Sequence, residues 1–296
     1  IAAARGEVVF FLDADDRLRP GAAARVLAAM RPGVSAVQFC LETIDGHGRS
    51  LGGVYPPLPP NWTPARIRET VLRDGLYPCP PMSGNAFARW YLDKAMPLPT
   101  QLFRYGADGP LNAVAPLYGD VVALPDVLAE YRFHGRNHHA QAGLAPEKFV
   151  YNVAVDRRRA TFLRWHSEAL GIFLPDDVLD RSWFHLQFRL AALKLCRDQY
   201  PVPTDTLPRL VRYIARIACR APAPPLTRAL VVVWAMLVAA APRRLAERLV
   251  AVRFVGGNRP SSLDALLRAF GLVRRTGRHA RTHQDPNMLP VVTSAD

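Results

Sequence analysis

The chain has 296 residues, half of them hydrophobic and 21% charged, a balance that sustains a globular core and excludes a chain disordered throughout. Its net charge of +13 is unevenly placed: residues 1–140 hold 14 basic and 13 acidic side chains, residues 141–296 hold 24 and 12. The four cysteines, Cys40, Cys79, Cys196 and Cys219, form no CxxC pair and no zinc-ligand spacing with histidine, so they read as free, reduced thiols of a cytoplasmic protein.

The chain opens at Ile1, without methionine or a signal-peptide pattern, and runs almost directly into a strand. That start reads as a cut through a longer protein. Residues 7–12, Glu-Val-Val-Phe-Phe-Leu, are a continuous apolar run rich in β-branched and aromatic side chains, the pattern of a buried strand in a sheet covered on both faces. The strand ends in Asp13-Ala14-Asp15-Asp16. Arg17 to Pro20 is expected to be a turn, and Gly21 to Met30 a helix. Strand, acidic tip and helix make an α/β pattern, in which ligands bind beyond the carboxyl ends of strands.

Ala36 to Glu42 is a second strand candidate, followed by a turn at Asp45-Gly46-His47-Gly48 and a polar, proline-rich stretch to Pro60. Thr63 to Leu72 reads as a helix capped by Thr63 with Pro64 in its first turn. Pro78 to Pro81 forms a rigid loop. A helix is predicted over Leu111 to Leu117, and strands over Val121 to Leu124 and Ala129 to Phe133. Beyond residue 145 strand signals stop. Helical patterns occupy 146–170, 176–198, 207–220, 228–241, 243–254 and 262–272, with proline-rich breaks near 201–208 and 221–225. The polar tail from 276 is expected to be disordered.

Three carboxylates within four residues repel one another, and such clusters persist where a cation or a metal-bound phosphate neutralises them. Aspartate oxygens suit Mg²⁺ or Mn²⁺, which retain water and bridge to substrate phosphates. The plainer alternative is a solvated turn capping the next helix. A phosphatase of the haloacid-dehalogenase type also places DxD after a strand, but it wants Thr or Val where Arg17 stands.

The segment Gly6 to Asp16 resembles the central strand of family 2 glycosyltransferases, with its "flDaDD" ending. Three further segments follow in the family's order. Ser83-Gly84-Asn85-Ala86-Phe87-Ala88-Arg89 resembles the acceptor-side strand and turn. Gly106-Ala107-Asp108-Gly109-Pro110-Leu111, with Tyr118-Gly119-Asp120-Val121, resembles the "ED…L…G.v" segment. Ala129 to Asn137 is similar to the closing "l..YR.H..N" segment. The resemblance covers residues 1–140. It implies a GT-A fold, and transfer of a sugar from a nucleotide-diphosphate donor to an acceptor hydroxyl with inversion.

In that scheme Asp13 lies near the donor ribose or sugar, and Asp15 binds the Mg²⁺ or Mn²⁺ bridging the two phosphates. Asp16 binds either partner or caps the helix. Asp108 matches the catalytic base, with Ala107 where the family often has a second acidic residue; a helix cap is the alternative for Asp108. Arg132, His134 and Arg136 are candidates for the diphosphate, with His134 also a candidate metal ligand beside Asp13 and Asp15. The family's nucleotide-binding half precedes the DxD strand and is not in this sequence. The 296 residues alone are therefore expected to transfer no sugar.

The expected fold is α/β: a partial GT-A, Rossmann-like mixed sheet over 1–140, a helical basic region over 141–275 and the tail over 276–296. The helix at 207–220 sets Leu210, Val211, Ile214 and Ile217 against Arg209, Arg212, Arg216 and Arg220, a pattern for a membrane interface or for packing on the domain. The apolar run 229–241 spans about 20 Å, short of a bilayer core of about 30 Å. The expected partners are a nucleotide-sugar donor, a saccharide or lipid-linked acceptor and an anionic membrane surface, but no nucleic acid, since no such motif occurs. The expected place is the cytoplasm, peripheral on the inner membrane's cytoplasmic face, with a role in surface polysaccharide or glycolipid synthesis. The competing reading is a non-catalytic homologue serving as a membrane-surface binding module.

Overall fold

A computed structural model describes residues 1, 3–56, 58, 61–103, 106–133, 144–221 and 223–254. The chain divides into two compact units. One comprises Ile1–His134 with Arg158–Val178, the other Gly135–Arg157 with Leu179–Asp296. Residues 158–178 thus group with the sheet, beyond the boundary read at 140. The expected segments at 262–272 and 276–296 lie outside the described residues.

The first unit is built on a six-stranded mixed sheet: β1 (Val8–Phe10), β2 (Arg17–Leu18), β3 (Val34–Asp45), β4 (Ser50–Tyr55), β5 (Asn85–Ala88) and β6 (Asp120–Phe133). The order is β1-β5-β3-β6-β2, with β4 paired to the far part of β3. Only β3 and β6 run parallel; the other pairings are antiparallel. The expected α/β class, followed by a helical region, is what the structure shows.

β3 is the central strand because nearly every side chain along it is buried. Val37, Phe39 and Leu41 alternate onto one face, where Ala22, Val26 and Ala29 of α1 (Ala22–Ala29) complete the core. Gln38, on the opposite face, meets Asn112 of α4 (Asp108–Tyr118). α2 (Pro64–Asp74) and α3 (Arg89–Ala95) pack against α4. Thr63 caps α2 as expected, its hydroxyl accepting from the Arg66 amide at 3.3 Å, with Pro64 in the first turn.

Five local expectations change. The helix expected over 176–198 is shortened to Trp183–Leu195, with single 3-10 turns at Val178–Arg181 and Arg197–Gln199. The turn expected at Arg17 to Pro20 contains β2, whose Arg17 pairs with Glu130 of β6 in register and by a 2.7 Å ion pair. The stretch after the Asp45 turn includes β4, a Gly-Gly strand with little propensity of its own that pairs with β3 through that turn. α3 was not anticipated. The two strands expected at 121–124 and 129–133 are one, β6. Its register against β3 slips between Leu124 and Ala129, at Pro125, which has no N–H to give the ladder.

The second unit is helical: the first part of α5 (Pro146–Ala169), α6 (Trp183–Leu195), α7 (Leu207–Ala218), α8 (Pro225–Ala240) and α9 (Arg243–Phe254). α6 is the buried centre, contributing Leu186, Leu190, Ala191 and Leu193 to a core shared with α7, α8 and α9. Two polar clusters are sealed within it. His185 is 2.8 Å from Asp156, and Arg189 is bracketed by Asp205, at 2.6 and 2.8 Å, and Asp180. Among the described residues no helix is long and apolar enough to cross a membrane.

Candidate active site

β1 ends in a tight turn closed by the Asp16 amide on the Asp13 carbonyl at 3.0 Å. This turn sends the carboxylates in different directions. Asp13 is exposed and Asp15 half-exposed, whereas Asp16 is buried. None of the three caps α1, whose N-cap is Gly21 in the left-handed region at φ 81° with no side-chain cap, so the capping alternative does not apply.

Two separate segments fix the tip. From the loop before β5, the Ser83 hydroxyl accepts the Asp13 amide at 3.0 Å. From β6, the Arg132 amide donates to Asp16 Oδ1 at 2.9 Å. Arg132 Nε donates to the Asp15 carbonyl at 2.7 Å, and its Nη1 to the Asp45 and Gly46 carbonyls at 3.2 and 3.1 Å. Arg132 therefore ties the acidic tip to the β3–β4 turn, a positioning role beside the diphosphate contact that the resemblance implies. His134 and Arg136 lie outside the described residues.

Asp108 opens α4, in the first turn, where negative charge is favoured; its N-cap is Ala107, so Asp108 is not the cap. The fold brings it toward Asp13 although the two are far apart in the chain. The Asp13 carboxyl titrates above its ordinary value, first through partial burial, then through the charges of Asp108 and Asp15, against a hydrogen bond from Ser83. Asp16 is pushed up to about 6. Burial is the main cause, opposed by Ser83 and the Arg132 amide and reinforced by Asp15 and Asp13. Its second oxygen, Oδ2, is buried with no hydrogen-bond partner.

The donor set fits a hard divalent cation in part. Asp13 and Asp15 are the carboxylates of this tip that do not turn inward, and the repulsion felt by Asp13 is what a cation relieves. Asp16 turns inward to Arg132. Accordingly, no group of three His, Cys, Asp or Glu among the described residues converges to hold a metal unaided. Asp15 and Asp13 are the side chains that would hold such an ion.

Sequence reasoning missed three supporting features. Ser83 stands in a quoted segment but received no role. A buried amide cluster lies beneath it: Gln38 Nε2 is 2.9–3.1 Å from Tyr77, Asn85 and Asn112, and Asn85 donates to the Pro80, Pro81 and Met82 carbonyls. This cluster links the Ser83 loop to the helix that carries Asp108. Third, the Arg159 guanidinium lies on Gly109, where a Cβ would come within 2.0 Å of its Nε. Only the Gly beside Asp108 hinted at that approach.

Comparison with known proteins gives one similarity. Over 146 residues the chain is 34% identical to an uncharacterized glycosyltransferase of Nostoc sp. (strain PCC 7120). That is similarity to a glycosyltransferase. It takes in 49% of this chain and 45% of the relative, so the chain spans about half the length of the curated protein it matches. No protein-family model and no solved structure matches the chain.

Proposed function

We propose that this chain carries the catalytic carboxylates of a glycosyltransferase that moves a sugar from a nucleotide-diphosphate donor to an acceptor hydroxyl with inversion. The observation that carries the reading is the approach of Asp108, at the start of α4, to Asp13, at the tip of β1, close enough for one charge to raise the other's titration. The named relative supports sugar transfer in general. The family 2 type, the inversion and the role in cell-surface polysaccharide or glycolipid synthesis rest on the motif resemblance.

Each residue has a distinct task. Asp13 faces the donor's ribose or sugar, and Asp15 takes Mg²⁺ or Mn²⁺. An ion held there would neutralise the charge growing on the leaving diphosphate. Asp108 accepts the proton of the acceptor hydroxyl as its oxygen attacks the anomeric carbon from the face opposite the diphosphate. The new C–O bond forms as the bond to phosphate breaks, which inverts the centre. Asp16, Ser83 and Arg132 hold the tip, while His134 and Arg136 are proposed to meet the diphosphate.

The test is nucleoside-diphosphate release from a panel of sugar nucleotides by the complete gene product. Asp108→Asn keeps shape and removes basicity. It is expected to lower turnover by about 10² or more with donor affinity nearly unchanged; a fall of less than threefold rules Asp108 out as the base. Asp15→Ala is expected to abolish Mn²⁺-dependent nucleotide-diphosphate binding in a folded protein. Unaltered calorimetric affinity would remove the metal role.

A further inference from the structure

The last described helices present a surface that the carboxylate site does not use. α8 is apolar on two sides. Its inner side, with Val231, Trp234, Ala235 and Val238, is buried against neighbouring helices. Its outer side carries Leu226, Leu230, Val233, Met236 and Leu237, each 44–50% exposed. Their spacing of three and four residues lines them along one face for three turns. Leu245, near the start of α9, is 47% exposed. An exposed stripe of this kind marks an interaction surface more often than a solvated face.

The charge of the same helices selects the partner. Residues 207–254 contain nine arginines and a single acidic residue, Glu247, a net charge of +8. Arg209, Arg212, Arg216 and Arg220 are all exposed, as are Arg243, Arg244 and Arg248 next to Leu245. A second copy would set +8 against +8, a repulsive pairing. A nucleic acid would use the arginines and leave an aliphatic stripe in water. An anionic bilayer satisfies both features, taking leucines into the acyl boundary and arginines among headgroup phosphates. α8, with 16 residues, is about 24 Å long, too short to span a hydrocarbon core of about 30 Å. We propose that the outer face of α8, on a set of helices whose exposed side chains include seven arginines, docks on an anionic phospholipid surface. The attachment goes beyond sugar transfer and does not depend on it.

Co-sedimentation of the full chain with vesicles tests the proposal, using phosphatidylcholine alone or mixed with phosphatidylglycerol. Binding is expected only to the mixed vesicles and should weaken as salt rises. Leu230→Glu with Leu237→Glu changes two exposed side chains, so folding is expected to survive, as circular dichroism will show. This variant should lose most binding. Arg243→Gln, Arg244→Gln and Arg248→Gln together should weaken affinity by about tenfold or more. Equal binding to neutral and mixed vesicles, no binding to either, or wild-type binding by the double glutamate variant would overturn the proposal. So would a dimer, seen by ultracentrifugation, that the glutamates dissociate without any vesicle binding, since a second copy would then occupy the face.

Discussion

At Asp16, a carboxyl buried 6% exposed beneath the Asp13 turn must ionise against its surroundings. Its titration moves from 3.8 to about 6 in the folded chain, so the folded state takes up the proton first on acidification. The sign follows: this group's contribution is most favourable below about 4 and is lost as pH rises through about 6. Asp16→Asn keeps an acceptor for the Arg132 amide and removes the charge. It is expected to stabilise the protein by about 1–3 kcal/mol at pH 8 and to leave it near wild type at pH 4. Urea unfolding at both pH values checks this, and equal destabilisation at both would refute the account. The DxDD tip was legible in the sequence because its three carboxylates fall within four residues and follow an apolar run. That Asp16 turns inward while Asp13 turns out was not legible, because Ser83 and Arg132, which decide it, come from distant segments.

Local signals read well where an element is specified by its own residues. α2 carries its cap and its proline, both legible in the sequence; Thr206 and Ser182 cap α7 and α6 by the same bond, though they were not read as caps from the sequence. Elements stabilised by a partner read poorly. β4 exists because β3 offers an edge to pair with, and β6 continues through Pro125 because β3 runs alongside. The buried amides belong to this scale too. Asn85 holds three carbonyls of the loop that ends in Ser83. Asn85→Ala is expected to cost about 2–4 kcal/mol, because buried carbonyls lose their donor, and to weaken donor binding through displacement of Ser83. Gly84 sets a second constraint on the same loop, since a Cβ there would meet Pro80 at 2.5 Å and Leu41 at 2.7 Å. Wild-type stability together with wild-type calorimetric affinity in Asn85→Ala would sink the positioning role.

Across the molecule, the two compact units are expected to unfold in more than one calorimetric step. Arg189→Met leaves Asp205, whose side chain is fully buried, without its cation. A loss of about 3–5 kcal/mol is expected, confined to one transition. An equal shift of both would show that the units melt together. Sequence by itself determined the α/β class of the first part, the helical second part, the acidic tip and the concentration of arginine beyond residue 141, because periodicity, caps and charge are properties of neighbours in the chain. Tertiary structure alone decided that the charge of Asp108 is felt at Asp13, that Arg132 ties the tip to backbone carbonyls of the β3–β4 turn, that Ser83 and the Gln38 cluster support the tip, and that α8 keeps an exposed apolar face. Each of these depends on pairings between residues tens of positions apart, and their energies arise only when the strands and helices are packed.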